Sequence, residues 1–242
     1  MRRAGLAGLA GLALGCGIPD LDLSGKRCPC VSGYTCDEST QRCVAAGSDD
    51  GGVTPPGCLG TSTLNTPAFS EGFDTDFSGW TTGGTGSWSV SNGEAAQTQA
   101  GASLAYAYPT TLVNLASYRV VSTLRPLPGG AMNGRVGLGI RQQASLESLS
   151  CSWEPNLGEL HVRHTSNTGG DDAVGIGQAV NIDPAATVTM ETEIAGTQLR
   201  CCLLEAPTVV LEAGPVTGGG GPPTLWSRAL GGAWTDFHVF TQ

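Results

Sequence analysis

From Cys58 onward, apolar and polar residues alternate in short runs separated by glycine, asparagine and proline. Tyr118, Val120, Ser122 and Leu124 fall on one side of an extended segment, and Val136, Leu138 and Ile140 repeat the pattern. Leu160 with Val162, then Val188, Met190, Thr192 and Ile194, then Leu199, Cys201 and Leu203 after the turn Ala195-Gly196-Thr197, continue it. Successive side chains of a strand point to opposite faces, so this period predicts antiparallel strands with one face on a core. No window carries a helical apolar stripe beyond a turn or two. Many short strands across 58–242 predict an all-β fold, a two-sheet antiparallel jelly-roll sandwich with a small disulfide-rich module ahead of it.

The region before Cys58 is organised differently. Met1-Arg2-Arg3 gives a positive start, and Ala4 to Leu14 is an uncharged run of Ala, Leu and Gly. Residues 1–15 thus have the layout of a signal peptide, too short to span a bilayer as a mature helix. The run Leu12-Ala13-Leu14-Gly15-Cys16 resembles the lipobox of bacterial lipoproteins, which implies cleavage before Cys16 and acylation of that cysteine. Residues 16–27 then form a lipid-anchored tether. Residues 28–44 form a small cysteine-rich module, and 45–57 (AAGSDDGGVTPPG) a Gly/Pro linker. The stretch Cys28-Pro29-Cys30-Val31-Ser32-Gly33-Tyr34 resembles the later half of an EGF-like module.

Nine cysteines minus a lipidated Cys16 leave eight, an even number that suits an oxidising compartment. Cys28, Cys30, Cys36 and Cys43 lack the paired C-x-x-C spacing of a zinc site, so disulfides are expected, with three connectivities open. A module this small needs such cross-links to fold. Of the later four, Cys201 shares a face with Leu199 and Leu203, Cys202 points the other way, and Cys151 lies with Leu149 and Trp153. The expected pairs are Cys151–Cys201 as an inward bridge and Cys58–Cys202 pinning the domain's start.

Phe73-Asp74-Thr75-Asp76-Phe77-Ser78-Gly79-Trp80, followed by Gly86-Ser87-Trp88-Ser89-Val90 and Gly93-Glu94, resembles the opening of concanavalin A-like lectin/glucanase (laminin G-like) domains. Cys151-Ser152-Trp153, the strand Thr187 to Ile194, Gln198 to Leu204 and the closing Trp234-Thr235-Asp236-Phe237-His238-Val239 follow in that family's order. The resemblance covers most of residues 66–242. It implies two curved antiparallel sheets and leaves the ligand open.

Charge narrows the function. The formal net charge is −9 with only 12 Lys+Arg, so there is no basic stripe to neutralise phosphates, and nucleic acid is excluded as a partner. Some relatives of the resembled family hydrolyse glycans with a Glu-x-Asp-x-Glu strand, which is absent here. The nearest substitute is Glu191-Thr192-Glu193, whose carboxylates would sit roughly 6.5–7 Å apart along a strand. Those are also outward positions where polar residues are expected. His161 and His164 alternate along a strand and so face opposite sides, which argues against joint metal ligation. Asp74 with Asp76, and Asp171 with Asp172, are the best oxygen clusters for a calcium ion, and turn chemistry accounts for both without one. Gly218 to Pro223 (GGGGPP) precedes no helix and reads as a flexible loop. Neither a Gly-x-Ser-x-Gly elbow nor a Walker-type loop occurs.

Trp153, Trp226 and Trp234 are the candidates for stacking on a sugar, with Trp226 preferred because it follows the GGGGPP loop. Trp80 and Trp88 belong to the opening motif and are expected in the core. No catalytic residue, metal ligand or cofactor is assigned. The expected function is a non-catalytic binding module, for carbohydrate or an envelope component. It would sit on a lipoprotein of the bacterial cell envelope, held through Cys16 at the outer membrane, on the periplasmic side or the cell surface. The rivals are a glycoside hydrolase of the same fold and a structural or protein-interaction lipoprotein without a small ligand.

Overall fold

The computed structural model describes residues 34–37, 42–45 and 57–242, apart from 61, 75, 144–146, 167, 169, 175–176 and 217–218. The signal segment, Cys16, Cys28, Cys30 and most of the linker lie outside the described residues, as do the side chains of Cys36 and Cys43. The chain divides into two compact units, Met1–Ser48 and Asp49–Gln242. In the first, β1 (Tyr34–Asp37) and β2 (Arg42–Ala45) form an antiparallel hairpin whose register sets Cys36 opposite Cys43.

The second unit begins with β3 (Thr66–Glu71), β4 (Trp80–Gly84), β5 (Trp88–Ser91), β6 (Glu94–Gln97), β7 (Ala105–Pro109) and β8 (Tyr118–Pro126). It continues with β9 (Arg135–Ile140), β10 (Ser148–Glu154), β11 (Glu159–Thr165), β12 (Asp171–Ala173) and β13 (Gln178–Ala179). β14 (Val188–Ala195), β15 (Gln198–Leu203), β16 (Val210–Ala213), β17 (Thr224–Arg228) and β18 (Gly232–Thr241) complete it. A front sheet runs β12-β11-β10-β9-β17-β7-β4, with β13 on β11, and a back sheet runs β16-β15-β14-β8-β18-β6-β5, with β3 on β18. No helix occurs among the described residues. This is the all-β, two-sheet jelly roll that the alternation predicts.

The alternating positions fill the space between the sheets. Tyr118, Val120 and Leu124 of β8 meet Val136, Leu138 and Ile140 of β9, with Trp153, Leu160, Met190, Ile194, Leu199 and Leu203 in the same core. Sheet hairpins close where backbone chemistry permits. Asn92 (φ 55°) and Gly93 (φ 77°) both take left-handed conformations between β5 and β6, the twist-compatible two-residue turn that favours Asn-Gly.

The opening motif shapes its own bend. The Asp76 carboxylate accepts the Ser78 N–H at 2.6 Å, and the Phe77 carbonyl accepts the Trp80 N–H at 2.9 Å. The Ser78 hydrogen bonds hold the Asp76 carboxyl below its ordinary range. The bend delivers Phe73, Phe77 and Trp80 into an aromatic cluster with Phe69, Trp88 and Phe237. Trp80 is buried, and Trp88 is half-buried against Trp234.

Both expected bridges of this unit are present. Cys151 joins Cys201 between the sheets, and Cys58 joins Cys202 on the outer side of the back sheet. The later part of the GGGGPP segment, Gly220 to Pro223, corrects its reading as a flexible loop. Gly221, Pro222 and Pro223 are buried, the Gly221 N–H donates to Leu115 O, and Pro222 O accepts from Gln142 N. A Cβ on Gly220 would come within 2.6 Å of Asn114 O, and one on Gly221 within 2.8 Å of Arg141 C, so these two glycines serve close packing against neighbouring segments.

Tyr118 supplies a pH-dependent prediction. Its ring is fully buried in the core and its hydroxyl oxygen accepts the Arg141 N–H at 2.8 Å. Burial pushes the phenol well above its ordinary value of 10.0. Above about pH 10 the unfolded chain releases a proton that the folded chain retains, so stability contributed below that pH is lost as pH rises. Urea midpoints measured from about pH 9 to 11 should fall, and the slope should flatten in Tyr118→Phe.

Candidate functional site

On the outward face of the front sheet, strand register gathers a patch of polar side chains that the core does not use. β10 contributes Ser148, Ser150, Ser152 and Glu154, the positions between Leu149, Cys151 and Trp153. On one side of β10 they oppose Thr165, Arg163, His161 and Glu159 of β11. On the other, Ser150 opposes Gly139 and Ser152 opposes Gly137 of β9. β17 adds Thr224 opposite Gly139, Trp226 opposite Gly137 and Arg228 opposite Arg135. Tyr106 of β7 pairs with Trp226 on one side and Gly83 of β4 on the other.

The glycines explain how these groups come together. A Cβ on Gly139 would meet Thr224 Oγ1 at 2.0 Å and Trp226 Cδ1 at 3.4 Å, so its absence lets both side chains lie across β9. A Cβ on Gly83 would fall 2.3 Å from the Tyr106 ring, and one on Gly177 would fall 2.0 Å from the His161 ring. Bare backbone therefore flanks the larger rings. Tyr106 and the half-buried Tyr108 stack in parallel, with centroids 6.2 Å apart and planes at 15°. Burial raises the Tyr106 phenol, with Tyr108 adding to the effect.

Charges converge at one end. Glu154, 3% exposed, holds Arg163 Nη2 at 2.9 Å, Arg135 Nε at 3.1 Å and His161 Nε2 at 3.7 Å, all through Oε1. His161 Nε2 also lies 2.9 Å from Glu159 Oε2. Donor atoms of Glu154, Glu159 and His161 all lie within 4.8 Å of one another. Two guanidinium groups already occupy the Glu154 carboxylate, which disfavours a cation there. At the other end a cleft of about 150 Å³ is lined by Arg141, Gln143, Glu147, Ser148, Leu149, His164 and Gly219.

The most unusual property of this face is its unmet hydrogen bonding. Ser148, Ser150, Ser152, Thr165 and Thr224 are at most 2% exposed, and their hydroxyl oxygens have no partner among the described residues. Trp226 Nε1, His161 Nδ1 and Arg163 Nε are likewise buried atoms without a partner among the described residues. Buried polar atoms are paired in the great majority of cases, and each orphan costs about 1–3 kcal/mol. A row of such orphans, enclosed by their neighbours, lies on this one face.

Residues singled out from the sequence fall in other places. Trp153, Trp226 and Trp234 are all 0% exposed, so none presents a ring to a ligand, which corrects their assignment as stacking residues. Trp153 and Trp234 belong to the inter-sheet core, where the Trp234 indole N–H donates to Gly137 O at 3.2 Å. Trp226 does lie on the front face, but it is covered by Leu104, Tyr106 and Tyr108 and acts as floor rather than platform. Tyr108, Arg163 and the serine row, which the sequence reading missed, are the groups at hand. Serine on an outward strand face is ordinary, so the sequence carried no signal that these would be enclosed.

The carboxylate pair weighed for hydrolysis is also corrected. Glu191 and Glu193 project from the outer face of the back sheet beneath the segment 57–65. Glu191 pairs with Arg119 Nε at 2.5 Å and accepts the Leu59 N–H at 3.2 Å. Glu193 accepts the Ser62 hydroxyl and lies 3.6 Å from Arg200 Nη1. Both are buried in structural contacts and reach no groove. His161 and His164 take opposite faces, as the alternation requires, with His164 Nε2 3.4 Å from Glu147. Asp76 serves its turn, and the side chains of Asp171 and Asp172 lie outside the described residues.

No protein-family model matches the chain, and no curated protein matches it in sequence. Solved structures do match in fold. The carbohydrate-binding module CBM66 from Bacillus subtilis superposes with a TM-score of 0.56 at 14% identity, over 67% of this chain and 96% of that one. A Bacillus subtilis protein of unknown function with a galectin-like fold gives 0.55 at 12% identity, over 73% and 96%. The Bacillus licheniformis β-glucanase gives 0.53 at 8% identity, over 73% and 98%. At such identities the likeness is one of fold: this chain carries the jelly-roll sandwich shared by carbohydrate-binding modules and glucanases.

Proposed function

We propose that the sandwich is a carbohydrate-binding module whose sugar site is the outward face of the front sheet, carried on an envelope lipoprotein anchored through Cys16. The row of enclosed, unpartnered polar atoms on β10, β11 and β17 supports this reading above all. Sugars present dense sets of hydroxyl donors and acceptors, which complement serine and threonine hydroxyls that give and accept bonds and an indole N–H that gives one. Tyr108 adds a half-exposed aromatic face beside them. The binding modules among the fold neighbours support the same reading. The anchor rests on the lipobox-like run ending in Cys16 and on the even cysteine count it leaves.

A second reading, hydrolysis, has one observation in its favour. Carboxylate oxygens of Glu154 and Glu159 on this face lie within 4.8 Å of one another, and glycosidases work with two neighbouring carboxyl groups. A glycan array probed with the full chain, with each bound spot checked for products, separates the readings. Binding without products is expected. Products would establish hydrolysis, and a silent array on folded protein would remove both. For the anchor, Cys16→Ser is expected to move the protein from the membrane fraction to the soluble one.

The orphaned hydroxyls give an unusual prediction. Ser152→Ala removes a buried group with no partner among the described residues, so the thermal midpoint should hold or rise. The same change removes a hydrogen bond to the ligand, and affinity should fall about five-fold, the equivalent of about 1 kcal/mol. Calorimetry on both properties checks it. A loss of stability together with unchanged affinity would make Ser152 a structural residue.

A further inference from the structure

The two bridges of the sandwich meet on consecutive residues. Cys202 is joined to Cys58 on the outer side of the back sheet, and Cys201 is joined to Cys151 in the core. Neighbouring residues of a strand point to opposite faces, so β15 is pierced from both sides at one peptide bond. The result is a continuous covalent line from Cys58, through β15, across the core and into β10. Ser150 and Ser152 flank Cys151 on β10 and project from the far side onto the front face. Everything N-terminal to Cys58 is thereby joined to the strand at the centre of the candidate site by bonds alone.

The contacts around Cys58 fasten the same point. The Leu59 N–H donates to Glu191, Leu59 O accepts from Arg200, Ser62 donates to Glu193, and Asn65 accepts from Arg119. Without the bridges, a pull on residue 57 would be opposed by these contacts and then by β3 on β18, which open one after another.

We propose that this line gives the protein a further function: bearing tension between whatever holds the chain upstream of Cys58 and a ligand gripped by the front face. The proposal rests on the reading of the front face as the ligand site. It assigns the adjacent pair Cys201–Cys202 the role of a coupling that passes load through both sheets without drawing on their hydrogen bonds.

The test is single-molecule stretching of the full chain. One handle is placed at the N-terminus and the other on an azide-bearing residue replacing Leu157, which is 51% exposed in the β10–β11 turn. In the oxidised chain the sandwich contributes only the six residues from Cys151 to Leu157, about 20 Å at full extension. Cys151→Ala/Cys201→Ala routes the load from Cys202 back to Leu157, 45 residues, and should release about 150–160 Å. Reduction of the unmodified chain frees 99 residues, from Cys58 to Leu157, or about 330–350 Å. Residues 28–44 supply at most about 60 Å of any change on reduction. Should the alanine variant fail to fold, the oxidised and reduced forms of the unmodified chain provide the same contrast.

A release beyond about 100 Å from the sandwich of the oxidised chain would overturn the proposal, because the line would not be continuous. It also falls if the reduced chain extends no further than the oxidised chain at the same force, since the sheets would then carry the load themselves. The handle at Leu157 stands in for the ligand. A failure of the front-face reading therefore shows on the glycan array and not in this measurement.

Discussion

Replacing Glu191 with alanine is expected to lower the unfolding free energy by about 3–5 kcal/mol, the usual effect of removing one partner of a buried ion pair. Glu191 and Arg119 side chains are 1% and 2% exposed, and their contact is 2.5 Å. Loss of the carboxylate takes this counter-ion from a guanidinium in the interior and also removes the acceptor of the Leu59 N–H. Gly57 packs closely on the same carboxylate, where a Cβ would come within 2.5 Å of Oε2. The segment 57–65 should therefore loosen first, seen as faster amide exchange at Leu59 and Leu64 before global unfolding. Urea titration measures the total. A double change, Arg119→Met with Glu191→Leu, is expected to recover most of the loss, because a well-packed apolar pair replaces the buried charges. A Glu191→Ala effect below about 1 kcal/mol would mean that water reaches the pair and that it is not buried in solution.

Removing the inward bridge has an effect of similar size. Cys151 and Cys201 close a loop with a sequence separation of 50, for which the chain-entropy model gives about 4 kcal/mol. In a domain of this size that corresponds to a drop in Tm of about 8–16 °C for Cys151→Ala/Cys201→Ala. The loss arises largely in the unfolded state, so the front-face strands keep their register and the variant should still bind whatever the unmodified chain binds. Calorimetric scans of oxidised protein check the first part, and binding below the new Tm checks the second. An unchanged Tm would show that the unfolded chain is already constrained by other means.

Much of this architecture was legible from the period-two pattern alone. Tyr118, Val120 and Leu124, or Val136, Leu138 and Ile140, announce their buried face because a strand in a sandwich has only two sides. The same parity separated Cys201 from Cys202 and so predicted both bridges. The site was not legible in that way. In β10, Ser148, Ser150 and Ser152 look like the polar side of any half-buried strand. They become a row of enclosed orphans only when Arg163 and His161 of β11, Arg135 of β9 and Trp226 of β17 are brought alongside. Those neighbours come from as far away as residue 226, and no local signal encodes the pairing. Trp226 misled for the converse reason. Its sequence context, after a glycine-rich run, gave the look of a surface tip, whereas Gly221 to Pro223 pack down and Tyr106 covers the ring. Glu191 and Glu193 showed the right outward parity but lie on the sheet that faces the segment 57–65 rather than on the one with the open polar face.

The front-face site is tested most directly by titration of the glycan that binds best on the array into the full chain, into Ser150→Ala/Ser152→Ala, and into Glu212→Gln on the exposed back-sheet edge. Ser150 and Ser152 carry enclosed, unpartnered hydroxyls on the front face, whereas Glu212 belongs to β16. Loss of at least ten-fold in affinity, about 1.4 kcal/mol, is predicted for the serine pair, with Glu212→Gln unchanged and all three proteins equally folded. Equal affinity in all three would place the sugar elsewhere and contradict the assignment of the front face.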